Sequence, residues 1–118
     1  MFLSKIQKNE QVPLYGDGSN IRDWLYVEDH CDAVWEVFTR AKSKSIYNVG
    51  GNNEYSNLEI TKILLQSLRK SEDLISFVPD RPGHDKRYAI DATKIRDELG
   101  WSPKFRFEDG IQKTGQFL

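Results

Sequence analysis

The sequence predicts an α/β fold in which short strands alternate with amphipathic helices. Three observations lead to it. Apolar residues recur at helical spacing in several stretches, most clearly after Glu28 and after Ser56. Short runs rich in β-branched and aromatic residues, such as Ser45-Ile46-Tyr47-Asn48-Val49, lie between those stretches. Glycine, proline and asparagine mark the joints. A length of 118 residues suits one small domain spanning 1–118.

Residues 2–8 carry Phe2, Leu3 and Ile6 at helical spacing and read as the end of a longer helix. Val12-Pro13-Leu14-Tyr15 reads as an edge or irregular strand, because Pro13 lacks an N–H. Gly16-Asp17-Gly18-Ser19-Asn20 is a turn. Residues 22–27 alternate like a strand, Trp24 and Tyr26 to one side, Asp23, Leu25 and Val27 to the other. A helix over 28–40 places Glu28 and Asp29 at the positive end of its dipole and buries Ala33, Val34, Val37, Phe38 and Ala41. The strand at 45–49 stops at Gly50-Gly51.

Ser56-Asn57-Leu58-Glu59 is a capping box, and the helix it opens buries Ile60, Ile63, Leu64 and Leu68. Residues 74–78 form a strand ended by Pro79, and Tyr88-Ala89-Ile90 is a short extended piece. Asp91 caps a helix over 92–99 with Ile95 and Leu99 inward, Gly100 as its left-handed C-cap and Trp101 packed beyond it. Pro103 forbids continuation. The last helix covers 108–117, with Ile111 on its apolar side. Trp24, Trp35 and Trp101 read as core or cap contacts.

Composition narrows the class. A hydrophobic content of 38% and an aromatic content of 12% suit a folded domain. Seventeen basic and eighteen acidic residues leave a net charge of -1, so nucleic acid is not an expected partner. Cys31 is the single cysteine, which rules out an internal disulfide and fits a reducing cytoplasm. The start is no signal peptide, and no apolar run is long enough for a membrane span.

Several chemistries have no carrier. Gly16-Asp17-Gly18 leads into a second extended segment, and Gly50-Gly51 lacks a third glycine, so neither is a dinucleotide fingerprint. No tyrosine has a lysine four residues on. His30 and His84 have no nucleophile in an activating motif, and Asp97-Glu98 reads as a solvated pair. No metal-ligand spacing is present. Catalytic, cofactor and metal residues are accordingly expected to be absent.

Three segments carry a family resemblance. The first is Pro13-Leu14-Tyr15-Gly16-Asp17-Gly18 with Ile21-Arg22-Asp23-Trp24-Leu25-Tyr26-Val27-Glu28-Asp29. The second is Tyr47-Asn48-Val49-Gly50-Gly51 with Asn57-Leu58-Glu59. The third is Asp80-Arg81-Pro82-Gly83-His84-Asp85 with Arg87-Tyr88-Ala89-Ile90-Asp91 and Leu99-Gly100-Trp101. In this order they resemble the C-terminal part of the dTDP-D-glucose 4,6-dehydratases, lyases among the extended short-chain dehydrogenases/reductases. The resemblance covers nearly the whole chain and implies a small substrate-binding domain without the Rossmann core. In that family NAD takes a hydride from C4 of the glucose, water leaves across C5 and C6, and the hydride returns to C6. The catalytic tyrosine, lysine and Asp-Glu pair lie in the N-terminal half. The resemblance thus implies NAD for the full-length family, none for this chain alone, and a separate N-terminal Rossmann half as partner.

The resemblance also implies site residues, each with a plainer alternative. Arg22 and Arg81 are lead candidates for gripping the diphosphate of dTDP or a dTDP-sugar, since a guanidinium holds phosphate oxygens bidentately. The alternative is a structural ion pair with Asp23 or Asp85. Pro13, Leu14 and Tyr15 are implied to lie against the base, the alternative for Tyr15 being a core aromatic. Asn57 sits in the first turn of a helix, where free N–H groups favour anions; the alternative is local capping. The loop Asp80, Arg81, Pro82, Gly83 and His84 follows a strand end, and His84 either donates to a phosphate or hydroxyl or is a plain surface histidine. Lys86, Arg87 and Tyr88 add a basic-aromatic cluster or a solvated face.

Three readings remain open: part of a lyase that needs its missing half, a freestanding sugar-nucleotide-binding module, or the matching part of a UDP- or GDP-sugar epimerase or dehydratase. The start inside a longer helix favours the first, and with it exposed apolar surface and marginal solubility.

Overall fold

The computed structural model describes residues 1–117, with side chains through Gln116. Helix α1 (Phe2–Gln7) leads into strand β1 (Val12–Tyr15), β2 (Ile21–Asp23), α2 (Val27–Arg40), β3 (Glu54–Ser56), α3 (Asn57–Ser67), β4 (Ile75–Val78), α4 (Thr93–Leu99) and α5 (Phe107–Phe117). A 3-10 turn, Glu72–Leu74, precedes β4. The strands form two pairs. β1 runs parallel to β4, with Val12 opposite Ile75 and Tyr15 opposite Val78. β2 runs antiparallel to β3, with Ile21 opposite Ser56 and Asp23 opposite Glu54.

Two apolar clusters form the core, and one of them lies against the β1–β4 pair. Ile6, Val12 and Leu65 are buried together, flanked by Phe2, Leu64, Leu68, Leu74 and Ile75, so α1 and α3 cover the β1–β4 pair. Ala33, Ile95, Leu99 and Trp101 form the second cluster, joining α2 to α4. Asp29, fully buried at the start of α2, accepts from the Lys104 N–H at 2.8 Å and the Phe105 N–H at 3.2 Å. It thereby ties the segment before α5 to α2.

The local signals are realised as expected. Ser56 Oγ accepts from the Glu59 N–H at 3.1 Å, and Glu59 Oε2 accepts from the Ser56 N–H at 2.7 Å. Asp91 Oδ1 accepts from the Thr93 N–H at 2.9 Å and so caps α4 from one residue before its formal N-cap. Gly100 ends α4 at φ +67°, with Trp101 buried beyond it.

Other expectations need correction. The strand expected over 22–27 stops at Asp23, where its three-residue partner ends. Asp23 then accepts from the N–H groups of Gly51, Asn52 and Asn53, and this turn redirects the chain so that Val27 opens α2. On α2 the buried line passes through Asp29 and Ala33, with Val37 half-buried. Val34 (54% exposed), Trp35 (63%) and Phe38 (79%) face outward, so Trp35 is not a core residue. On α3 the buried positions are Ile60, Thr61 and Leu65, and Ile63, Leu64 and Leu68 are only partly covered. Residues 45–49 form no strand, because no segment among the described residues lies beside them to share a ladder. Residues 88–90 likewise contribute only the edge of a single bridge, Ile21 to Arg87.

Gly18 marks the tightest crossing. At φ +74°, an added Cβ would lie 2.4 Å from Leu14 Cδ2 and 3.0 Å from Leu58 Cβ. Gly18→Ala is expected to destabilise the fold by about 2–4 kcal/mol through strain and overpacking together. Gly100→Ala has the same strain but open space, and is expected to lose about 1–2 kcal/mol. Urea midpoints of the two variants check this order. Glu59 supplies a pH test. The bonds from Ser56 hold its carboxyl below the ordinary range. Its contribution is therefore complete above the unfolded-chain value and lost as pH falls through the lower folded value. The stability difference between wild type and Glu59→Gln should be level from pH 7 to 5 and shrink below about pH 4.

Candidate functional site

The carboxyl ends of two parallel strands meet at one place on the surface. Tyr15 ends β1 opposite Val78, and the Gly16 N–H donates to the Val78 carbonyl at 2.9 Å. The loops that follow, 16–20 and 79–85, therefore start side by side. Crevices at the carboxyl ends of parallel strands are the usual ligand sites of α/β sheets. Alternation along β1 turns Val12 and Leu14 inward and Pro13 and Tyr15 outward. Leu14 is 1% exposed, so it lies inside and only Pro13 and Tyr15 present side chains at the surface. Tyr15 is 47% exposed, so it is no core aromatic.

The 80–84 loop is braced from within. Asp80 Oδ1 accepts from the Arg81 N–H at 2.9 Å and lies 2.7 Å from His84 Nδ1. The bond to His84 holds the Asp80 carboxyl below its ordinary range. The His84 ring is almost wholly covered and stands edge-on to Tyr15, with ring centroids 5.9 Å apart. It is not a plain surface histidine; it props the loop against the aromatic. Pro82 and Gly83 form the exposed tip, with Gly83 at φ +69°.

The two arginines differ in how they are held. Arg22 Nη1 donates to the Ile21 carbonyl at 2.6 Å and Nη2 to the Asp85 carbonyl at 3.0 Å, and the guanidinium lies over the Tyr88 ring, 4.4 Å from its centroid. It makes no ion pair with Asp23 or Asp85 among the described residues. Arg81 is exposed, and its side chain has no hydrogen-bond or salt-bridge partner among the described residues. Arg22 is thus in contact with Tyr88. Its phenol donates to Asp85, which raises the phenol pKa, and Arg22 and Arg81 oppose that rise. One anchored guanidinium, that of Arg22, thus covers the exposed tyrosine, and the Arg81 side chain is left unpaired among the described residues. Of the remaining basic cluster, Arg87 is spent on a two-pronged pair with Glu54 (2.7 and 2.9 Å), and Lys86 reaches Ser19.

The start of α3 docks on the 16–20 loop, and here the geometry corrects an expectation. The N–H groups there are not free: Asn57 donates to the Asn20 carbonyl at 3.0 Å, Leu58 to the Gly18 carbonyl at 2.9 Å, and Glu59 to Ser56. Ser56 does the capping, and the half-buried Asn57 side chain makes no hydrogen bond among the described residues. Any anion contact at α3 falls to that amide. The sequence also concealed Asn20. It is buried and donates to the Asp85 carbonyl at 3.2 Å, which fixes the carbonyl that anchors Arg22. Its only signal was its place in a turn.

The residues present do not fit a dinucleotide. Gly16 to Gly18 enter β2 and Gly50-Gly51 lead to β3, so neither turn opens a helix that could take a pyrophosphate. No three His, Cys, Asp or Glu side chains converge for a metal among the described residues, and none of their helices is long and apolar enough to cross a membrane. A cleft of about 330 Å³ lies elsewhere, lined by Trp24, Tyr26, Phe105, Phe107 and Ile111 among others, and shares no residue with the arginine site.

Known proteins match this arrangement. A family model described as GDP-mannose 4,6 dehydratase matches residues 1–114. A dTDP-glucose 4,6-dehydratase of Xanthomonas campestris pv. campestris is 46% identical over 97% of this chain, and one of Neisseria gonorrhoeae is 51% identical over 90%. The chain spans 35% and 34% of their lengths. The solved structure of DesIV, a dTDP-glucose 4,6-dehydratase from Streptomyces venezuelae with NAD bound, superposes with a TM-score of 0.94 at 40% identity, over 98% of this chain and 36% of that one. A UDP-glucose 4-epimerase from Thermotoga maritima, solved with UDP-glucose, reaches 0.91 at 26% identity over 98% of this chain and 37% of its own. Sequence and fold agree: the chain belongs to the GDP-mannose 4,6 dehydratase family and corresponds to about a third of a dTDP-glucose 4,6-dehydratase.

Proposed function

We propose that this chain is the C-terminal, substrate-binding part of a dTDP-glucose 4,6-dehydratase, a single unit over 1–118 that grips the nucleotide diphosphate of a dTDP-sugar. The observation that carries the reading is Arg22, anchored on the Ile21 and Asp85 carbonyls and lying over Tyr88, together with the unpaired Arg81 on the loop that follows β4. Arg22 is held by two backbone carbonyls and keeps further N–H donors for phosphate oxygens. Arg81, without a protein partner, supplies the second cation. Tyr15 and Pro13 offer the base a flat, apolar wall, and the Asn57 amide reaches toward the ribose or phosphate. The Asp80–His84 brace keeps the 80–84 loop, with Pro82 and Gly83 at its tip, in position.

The site is a surface and not a closed pocket, so a second wall belongs to another part. That part is an N-terminal half that holds NAD and carries out the hydride and water chemistry, as expected from relatives about three times as long. This chain binds and orients. The preference for dTDP over UDP rests on relatives: those named for dTDP-glucose are 40–51% identical, against 26% for the UDP-glucose 4-epimerase of Thermotoga maritima.

The test is a nucleotide titration followed by thermal midpoint. At dTDP concentrations about a hundredfold above Kd, binding stabilises by about 2.7 kcal/mol, a rise of several degrees, with smaller rises for UDP and GDP. Arg81→Ala should leave the ligand-free midpoint within about 0.5 kcal/mol of wild type and weaken dTDP by about ten- to a hundredfold. Arg22→Ala should weaken dTDP similarly and also lower the ligand-free midpoint, because its carbonyl bonds are lost. No shift with any nucleotide rejects the reading.

A further inference from the structure

We infer that Asn20, buried and out of reach of a surface ligand, is the positioning residue of the arginine site: its side-chain amide fixes the Asp85 carbonyl, and through that carbonyl the aim of the Arg22 guanidinium. The inference rests on the reading above that Arg22 grips a nucleotide diphosphate, and names what holds that grip.

The chain beyond Asn20 is tied to the third segment by main-chain bonds. The Ile21 N–H donates to the Lys86 carbonyl at 2.8 Å, and the Tyr88 N–H donates to the Ile21 carbonyl at 3.0 Å. These bonds lay residues 86–88 beside the start of β2 as a parallel bridge. One step earlier, at Asp85, no main-chain donor meets the carbonyl among the described residues. Side chains meet it instead. Asn20 Nδ2 donates to this oxygen at 3.2 Å and Arg22 Nη2 at 3.0 Å. Residues 20 and 22 fall on one side of an extended chain, so both reach the same oxygen. A carbonyl oxygen has two lone pairs, and here both are engaged, so it has no freedom to turn away.

The two donors are not equivalent. Asn20 is short and 4% exposed, whereas Arg22 is long and half-buried at the surface. A held arginine loses much rotamer freedom. The packed amide therefore sets the oxygen, and the oxygen orders the guanidinium. An apolar side chain would fill a buried place at lower cost, since a buried amide is unfavourable unless bonded. Among the described residues the Asn20 side chain bonds only to the carbonyl that holds Arg22. The Asn20 main chain has a separate task, because its carbonyl accepts from the Asn57 N–H at 3.0 Å. Any residue at position 20 can keep that bond, so side-chain substitutions isolate the link to Asp85.

The experiment measures dTDP affinity of the 118-residue chain with Asn20→Leu, which keeps the bulk, and Asn20→Ala, which does not. Gly100→Ala, destabilised at the end of α4, is the control. Both Asn20 variants should bind dTDP about tenfold more weakly than wild type, and Gly100→Ala as tightly as wild type. In an Arg22→Ala background the Asn20 substitutions should change affinity by less than about twofold, because their effect passes through the missing guanidinium. Nitrogen NMR of labelled arginine side chains supplies a ligand-free reading. The Arg22 Nη signals, identified by their loss in Arg22→Ala, should be resolved in wild type and averaged in both Asn20 variants. Wild-type affinity in either Asn20 variant overturns the inference. So does a loss that persists in the Arg22→Ala background or appears equally in Gly100→Ala, since either marks a general weakening of the structure. Should one Asn20 variant fail to fold, the other carries the same readings. If wild type binds no dTDP, the nucleotide reading falls and the Arg22 signals decide alone: averaged signals in the variants uphold Asn20 as the residue that sets Arg22, and resolved signals overturn it.

Discussion

The parallel pairing of Val12–Tyr15 with Ile75–Val78 brings together two loops that are distant in sequence and makes them neighbours at the surface. The rest of the site is built from that junction outward. The first loop turns at Gly16 and Gly18, both at positive φ, and passes so close to Leu14 and Leu58 that only hydrogen fits at Gly18. This approach lets Leu58 donate to the Gly18 carbonyl and Asn57 to the Asn20 carbonyl, which docks the start of α3 on the loop. The second loop is stiffened by Asp80, which receives both the Arg81 N–H and His84. Asn20 then crosses between them to the Asp85 carbonyl. A fold with only two-stranded sheets in the described residues thus positions three separate segments through a few main-chain bonds.

The electrostatics follow from the same framework. The chain is nearly neutral, so no long-range field gathers an anion; local geometry must do it. Glu54 neutralises Arg87 and Ser19 engages Lys86, while Arg22 meets only carbonyl oxygens and a tyrosine face. Carbonyls orient a guanidinium without cancelling its charge. Arg22 and Arg81 are therefore the cations whose charge is left for a ligand at this site. The helix dipole of α3 contributes less than its position suggests, because the chain itself has taken up the first N–H groups.

What was legible in the sequence was what is decided locally. The Ser56–Glu59 box, the Gly100 cap and the turn at 16–20 involve residues within a few positions of each other, and each formed as read. Tyr15 is exposed and the Arg81 side chain unpaired among the described residues, but the ligand role expected of them came from resemblance and not from pattern. What misled was long-range. Periodicity could show that α2 is apolar on many sides but not which side meets α4, so Val34 and Phe38 were placed in a core they do not reach. Residues 45–49 have the composition of a strand, but a strand also needs a neighbour, which composition does not supply. The fate of the Asn57 N–H group depended on the Asn20 carbonyl, thirty-seven positions away, which no local motif announces.

In the proposed function the nucleotide binds at the carboxyl ends of β1 and β4. Backbone amide chemical shifts of the 118-residue chain, recorded by NMR while dTDP is added, test it most directly. With the nucleotide at that place, the amides that move are those of Tyr15 and Gly16, Arg22, Asn57, and Arg81 to Tyr88. Shifts confined to the cleft around Trp24, Tyr26, Phe105 and Phe107, with the arginine site unmoved, would contradict it.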